Sequence, residues 1–424
     1  MQLFVSKLQR WLEPADLFLL LYSDAQNSFW LDREHHSTEA VSIIGSGANV
    51  DVNLENLNLP HVTDLDLPFS WRPGLVGALS YEGQPRFIDV DRAFVFDHRT
   101  KDVYFVGIFD SESEFRHWKN AAFLRFGLRG GELAAYRLNQ SNRCGVKSMR
   151  VRHGEEDYLK LIQKAQMHIS AGDVYQICLT NEISFEHDLD PLDTFFDLRE
   201  INPSPYSSYL KIGNIAVVCS SPEQFLNVTS TGLLSTKPIK GTRPRSINSE
   251  EDKANAAELL ENEKERAENL MIVDLMRNDF GRVAIADSVH VTKLFDIESY
   301  ATVHQLVSTI EAQLAPGESA STALVACFPG GSMTGAPKLR AIEIIRDLEN
   351  GERGIYSGVI GYFAFNGAAD FGMTIRTIVF NGNTATIGVG GGITSDSDPV
   401  AELEETKLKA AALLKAIKAP NPWG

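Results

Sequence analysis

The sequence has little cysteine, no apolar run of membrane length and no excess of positive charge. Its 424 residues contain four cysteines, Cys144, Cys178, Cys219 and Cys327, far apart and in no CxxC pair. That spacing excludes a disulfide framework and a thiolate zinc site, and predicts buried free thiols in a reducing, cytoplasmic compartment. The run "LFLLLY" (Leu17 to Tyr22) is too short to span a bilayer. It reads as a core strand, and no membrane association is expected. No basic start leads into a long apolar stretch with a small-residue cleavage site. The formal net charge is −16, which excludes a general nucleic-acid binder, because such proteins present a basic face. A soluble protein that holds an anionic substrate with a few local cations fits this balance.

What is present is globular: 43% hydrophobic and 23% charged residues. The length predicts two domains, or one large core with a smaller lobe. Residues 1–140 are strand-rich, with a helix beginning near Ser111. "GLRGGELAAYRLNQSNRCGVKS" is the candidate linker. Residues 148–420 alternate helices with strands and hairpins. "HGEEDYLKLIQKAQMHISAGD" has helical spacing, "VYQICLTNEISFE" reads as a strand, and "SEEDKANAAELLENEKERAENLMIVDLMRNDFGRV" reads as one long helical segment. A hairpin turns at "FNGNTA" and a helix runs from about Pro399 to Ile417. The expected fold class is α/β (α+β), a two-layer-type α/β sandwich of mixed, largely antiparallel sheets with helices on the outside.

Two acid pairs share helix faces by their spacing of three: Glu265 with Glu268, and Glu402 with Glu405. Acids at this spacing usually contact only water, but both pairs flank apolar or glycine-rich stretches. Facing each other across a cleft, they would suit Mg²⁺, which takes a few carboxylates and keeps positions for water and substrate. "FPGGSMTGAPK" lacks the GxxxxGK[ST] phosphate loop, although Pro337 marks a helix start. Gly390, Gly391 and Gly392 read as a turn that allows close backbone approach. Arg376, in the strand-like "MTIRTIV", places a cation among apolar neighbours; pairing with a structural acid is an equal reading.

Five segments together carry a family resemblance: "AGDVYQICLTNEI", "SSPEQF", "PIKGTRPR", "KERAENLMIVDLMRND" with "VHQLVS", and "FPGGSMTGAPK … GIYSGVIGYF … IRT … VGGGITSDSDPVAELEETKLKA". In that order they resemble the chorismate-utilising enzymes, over roughly residues 150–420. The resemblance implies the anthranilate synthase component I-like fold. Within that family "PIKGT" is similar to the aminodeoxychorismate-forming branch, which carries lysine at the position of Lys240, where the anthranilate-forming branch carries alanine. The anthranilate-forming branch and a catalytically silent scaffold subunit for an amidotransferase stand as the alternatives.

The resemblance implies a reaction for folate biosynthesis. Lys240 is a covalent nucleophile, and its amine must be neutral to attack. A desolvated site, or a neighbouring cation such as Lys237, is expected to lower its pKa. Glu268 and Glu405 are implied as the main Mg²⁺ ligands, with Glu265 and Glu402 direct or through water. Arg376, Tyr356 and the backbone at Gly390 to Gly392 are implied to bind the second carboxylate of chorismate. Glu223 is implied as the acid for the leaving hydroxyl, and His304 as a neighbour of the substrate ring. Thr242 and Lys338 fit motif positions with looser substrate-binding roles. Gln176 stands where water-adding relatives carry a lysine base, and glutamine cannot act as one. A glutamine amidotransferase subunit is the implied source of ammonia, since no glutaminase triad is evident. In the N-terminal part, Ser23 falls where relatives contact tryptophan; a tryptophan pocket and a purely structural core are both open.

Overall fold

Side-chain alternation along the strands lays down the architecture. In the computed structural model, which describes residues 1–60, 62–139, 145–300 and 303–423 (127–139 by backbone alone), Trp30, Ile44, Phe94, Phe96 and Phe105 point to one face of a sheet and pack with helices. Their neighbours Phe29, Leu31, Ile43, Val95 and Val106 point to the opposite face, into a core shared with Val76, Ala78, Ile88 and Ile360 of a second sheet. Period-two alternation with both faces apolar is what a strand buried on two sides requires.

The first sheet has twelve strands. Its order is Gln2–Leu8, Asp102–Phe109, Arg92–Asp97, Val41–Ser46, Asn27–Asp32, Tyr206–Ile212, Ile215–Ser221, Thr377–Asn381, Thr384–Ile393, Gln176–His187 and Gly335–Ala336, with Val146–Val151 also paired to Gln176–His187. The second has ten: Ile239–Pro244, Val303–Gln313, Leu233–Lys237, Gln224–Val228, Ala369–Met373, Val359–Ala364, Gly74–Leu79, Pro85–Val90 and Ala48–Val50, with His290–Ser299 also on Val303–Gln313. The strand pairs described are antiparallel. Both sheets draw strands from early and late parts of the chain. Helices Pro14–Tyr22, Pro191–Ile201 and Pro399–Ala416 cover the outer face of the larger sheet. Helices Glu263–Gly281 and Ala320–Cys327 cover the smaller one. The α/β sandwich thus has two sheets face to face and helices outside.

Three local expectations change. "LFLLLY" is helix, not strand: Pro14 opens the Pro14–Tyr22 helix, and every residue from Leu17 to Tyr22 is buried. A segment that is apolar all round has no period to read. The expected linker is helical through Asn139, in a helix that starts at Glu112; residues 140–144 lie outside the described residues. The long segment after Ser249 is two helices, Ser249–Glu261 and Glu263–Gly281. Asn262 is extended (ψ 110°) and its side chain accepts from Glu265 N, so it caps the second helix instead of continuing the first. Cys178, Cys219 and Cys327 are buried free thiols; Cys144 lies outside the described residues. Among the described residues no helix is long and apolar enough to cross a membrane.

One buried ion pair ties the centre together. Arg353 and Glu349 are 2% and 1% exposed and meet at 2.6 Å and 2.8 Å. Arg353 also donates to the carbonyls of Cys178 (2.7 Å) and Met333 (2.6 Å), and Glu349 accepts from Thr180 N (2.7 Å). The pair therefore fixes the strand Gln176–His187 against the loop before helix Lys338–Glu349. Removing one partner leaves a buried charge, a loss of about 3–5 kcal/mol. Urea denaturation of Arg353→Met should show a loss of that order, and Arg353→Met combined with Glu349→Leu should recover part of it.

Candidate active site

The site forms where the chain crosses between the two sheets. Pro222 and Glu223 carry it from Ile215–Ser221 in the larger sheet to Gln224–Val228 in the smaller. Thr374 to Arg376 carry it back, from Ala369–Met373 to Thr377–Asn381. The crossings lie side by side, with Met373 N donating to Glu223 O and Ser220 N donating to Arg376 O, both at 3.0 Å. Arg376 is thus not in mid-strand as "MTIRTIV" suggested. It takes φ +52°, a left-handed conformation that costs a non-glycine residue on the order of 1 kcal/mol or more and is held here by the paired crossings. Burial lowers its pKa, against the opposing pull of Tyr356 and Glu405. Among the described residues no carboxylate lies within ion-pair distance of it. Tyr356 is buried with its ring against Gly388.

Gly390, Gly391 and Gly392 are not a turn. They lie in the strand Thr384–Ile393, whose alignment with Gln176–His187 runs to Ile177 opposite Ile393. On its other side, pairing with Thr377–Asn381 stops at Ile378 opposite Ile387, because that strand departs into the crossing. The glycine segment therefore has one edge that no strand pairs, the feature the turn reading sought in the wrong geometry. Lys409 Nζ donates to Gly390 O at 2.9 Å. A Cβ on Gly392 would stand 3.3 Å from Lys240 Nζ and collide with the amide of Gln176. Gln176 is buried, and its Oε1 has no partner.

Lys240 sits on the strand Ile239–Pro244, its side chain 14% exposed, with Nζ 3.4 Å from Glu268 Oε2. The following Gly241 has φ +84°, and a Cβ there would meet the Glu265 carboxyl at 2.9 Å; only glycine lets the strand pass the helix so closely. Burial pulls the Lys240 ammonium down, but Glu268, Cys178 and Glu223 outweigh it and the pKa is raised. This reverses the expected lowering. The physical reason is the carboxylate partner; Lys237 is turned away and pairs with Glu298 at 2.9 Å. Glu223 is buried, and that burial pushes its carboxyl up to about 7 against the opposing effects of Ser332 and Lys240. A carboxylic acid that keeps its proton near neutral pH can donate it.

Glu265 and Glu268 project from Glu263–Gly281, and Glu402 and Glu405 from Pro399–Ala416. Cations interleave them. Lys264 lies 3.9 Å from Glu268 and 3.4 Å from Glu402; Lys409 lies 2.7 Å from Glu405; Arg243 lies 3.6 Å from Glu265. Ser397 Oγ donates to Glu402 Oε1 at 2.7 Å. Burial and the charges of Glu268 and Glu405 raise the Glu265 carboxyl, against Arg243. No three of the four carboxylates bring their oxygens within 4.8 Å of one another. All-oxygen donors on two helices, spread apart and with Lys264 half exposed, fit a hard ion that keeps water in its shell, as Mg²⁺ does. The sequence reading missed Lys264 and Lys409, although each stands four residues from a glutamate on its own helix.

Four other candidates are placed differently. His304 is buried between Ser299 (2.8 Å) and Asp252 (3.0 Å). Lys338 is engaged by Asp279 (2.6 Å) and the Cys327 carbonyl (2.9 Å). Thr242 is exposed, opposite Gln305. Ser23 ends the first helix, donates to Leu19 O at 2.7 Å, and borders a cavity of about 310 Å³ with Tyr209, Lys211 and Asn214.

A family model described as chorismate binding enzyme matches residues 73–415. An aminodeoxychorismate synthase of Streptomyces griseus is 43% identical over 374 residues, 84% of this chain and 52% of that protein. Aminodeoxychorismate synthase component 1 of Bacillus subtilis is 37% identical over 365 residues, 81% of this chain and 77% of that one. The crystal structure of anthranilate synthase component I from Streptococcus pneumoniae superposes with a TM-score of 0.71 at 27% identity, covering 96% of this chain and 92% of that one. The chain spans about half the length of the first curated relatives it matches.

Glu223 has a pH signature. Its carboxyl is near 7 folded, against the ordinary 4.5. The contribution to stability is therefore full below about pH 4.5 and lost as pH rises through about 7, a change on the order of 3 kcal/mol. Glu223→Gln should remove this slope and raise unfolding stability at pH 8, read by urea titration at several pH values. An unchanged slope would show that Glu223 is not the buried acid described.

Proposed function

The chain belongs to the chorismate binding enzyme family, and from that premise we propose that it converts chorismate and ammonia to 4-amino-4-deoxychorismate, a precursor of 4-aminobenzoate and folate. The observation that carries this reading is Lys240 itself. A mostly buried amine stands beside Glu268, close to the glycine strand and within the electrostatic reach of an acid that keeps its proton near pH 7. The names of the relatives point the same way.

The chemistry follows from these groups. Arg376, Tyr356 and the backbone edge around Gly390 to Gly392 hold one carboxylate of chorismate; fixed donors cost no reorganisation at reaction. Glu265, Glu268, Glu402 and Glu405 would hold Mg²⁺, which when bound neutralises the ring carboxylate and draws electron density from the ring. Lys240, an ammonium beside Glu268, first gives up its proton to solvent, and the neutral amine then forms a bond to ring C2. The C4–O bond breaks as Glu223 supplies the proton that lets the hydroxyl leave as water. Ammonia then bonds to C4, the bond to Lys240 breaks, and the amine is restored. Gln176, a side chain that cannot take up a proton, lies against Gly392 where a base would activate water. Ammonia comes from a glutamine amidotransferase partner, and ammonium at high concentration replaces it in vitro.

The structural likeness to anthranilate synthase component I favours one other outcome, loss of pyruvate to give anthranilate. Chorismate, Mg²⁺ and ammonium with the unmodified protein separate the two. Aminodeoxychorismate is expected by chromatography and mass; fluorescent anthranilate without an added lyase would overturn the proposal. Lys240→Ala should lower aminodeoxychorismate formation at least a hundredfold with unchanged folding, and undiminished turnover would remove the covalent role. Chelation by EDTA should abolish turnover and Mg²⁺ should restore it. Activity that survives exhaustive chelation would exclude the metal.

A further inference from the structure

A second cluster of ligating groups lies on the early strands, among residues the proposed chemistry does not use. Asp32 ends the strand Asn27–Asp32, Glu34 follows it, and His98 follows the strand Arg92–Asp97. One ligating atom from each lies within 4.8 Å of those of the other two. Arg199 pairs with Asp32 Oδ2 and with Glu34 Oε2. That leaves Glu34 Oε1 facing His98 Nδ1 at 3.8 Å.

The hydrogen-bond chain determines which nitrogen of His98 carries the proton. Ser42 Oγ lies 2.6 Å from Asp32 Oδ1 and 2.7 Å from His98 Nε2. Arg199 keeps Asp32 ionised, so that carboxylate can only accept, and the single Ser42 proton goes to it. His98 Nε2 must then donate to Ser42, and in the neutral ring Nδ1 is left with a bare lone pair. The His98 side chain is 6% exposed, and Nδ1 has no hydrogen-bond partner. A bare nitrogen facing a carboxylate oxygen repels it unless something electron-poor sits between them.

We propose that His98 Nδ1, Glu34 Oε1 and the Asp32 carboxylate bind one late first-row divalent ion of the zinc type. An imidazole with two carboxylates is a donor set for such ions, whereas Mg²⁺ prefers oxygen alone. Ligands at about 2.0–2.2 Å around one tetrahedral ion stand about 3.3–3.6 Å apart, so the two donors at 3.8 Å need to close by only a few tenths of an ångström. The His98–Ser42 and Arg199 contacts are the outer hydrogen bonds that orient metal ligands. Glu34 is 35% exposed, so water can reach and complete the shell. The ion would cross-link the ends of two strands, with Arg199 of the helix Pro191–Ile201 paired to two of its ligands. The inference stands apart from the proposed activity.

The full-length protein, stripped with chelator and kept in millimolar Mg²⁺ to supply the glutamate cluster, is titrated with Zn²⁺ by calorimetry. One Zn²⁺ per chain is expected, with affinity weakened at least tenfold in Glu34→Gln and in His98→Gln. The unmodified protein with Co²⁺ alone should show the intense visible bands of a four- or five-coordinate site. Should His98→Gln fail to fold, the partly exposed Glu34→Gln and the Co²⁺ spectrum decide. No Zn²⁺ uptake in Mg²⁺, uptake undiminished in the variants, or a weak six-coordinate Co²⁺ spectrum would each overturn the proposal and leave His98 as an ordinary ion-pair partner of Glu34.

Discussion

Lys240 and Glu268, 3.4 Å apart in a mostly buried setting, form the ion pair at the centre of the site. Burial alone would lower the lysine's pKa, and the carboxylate reverses that. A buried charge without its partner costs several kcal/mol, so each group needs the other. Yet Glu268 is also one of four acids suited to a hard cation. It cannot serve both in full. Lys240 is therefore held as ammonium while Glu268 is its partner, and the interleaved Lys264, Lys409 and Arg243 pair with the other glutamates in the same way.

The fold makes this arrangement possible through its seams. Each sheet alone offers strands paired to their neighbours, interrupted only by local register shifts. Where the chain passes from one sheet to the other, pairing stops, a residue can take a left-handed conformation, and side chains such as Glu223 and Arg376 are aimed into the interior without loss of hydrogen bonds. The same departure uncovers one edge of the glycine segment. Arg353 and Glu349 then hold the neighbouring strand in place from below. Rigid elements supply the frame and the seams supply the chemistry, a division also seen in sites built from loops on rigid scaffolds.

Much of this was legible in the sequence, for reasons particular to certain residues. Glu265 with Glu268 and Glu402 with Glu405 declare a shared helix face by spacing, and Lys240 draws notice as a lysine between isoleucine and glycine beside a proline. The strand Gln176–His187 and the hairpin at "FNGNTA" follow from alternation and turn chemistry. What the sequence hid was of three kinds. A helix apolar all round, Pro14–Tyr22, lacks a period. Asn262, a favoured N-cap with Glu265 three residues on, is hidden because the residues on both sides keep a helical pattern. The glycines at 390–392 looked like a turn because local composition cannot show that a distant strand has ended alongside them. The sign of the Lys240 shift was likewise beyond reach, since it depends on a through-space partner on another helix.

The position of the strand Thr384–Ile393 bears on how the molecule is made. It lies in the middle of the larger sheet, between Thr377–Asn381 and Gln176–His187, but follows every other strand of that sheet in chain order. Until it emerges, the two halves of that sheet cannot join, and the nascent chain carries open β-edges with apolar faces of the kind that aggregate. Biogenesis of this sheet therefore has its most vulnerable interval just before that strand emerges, when chaperone protection has most to offer.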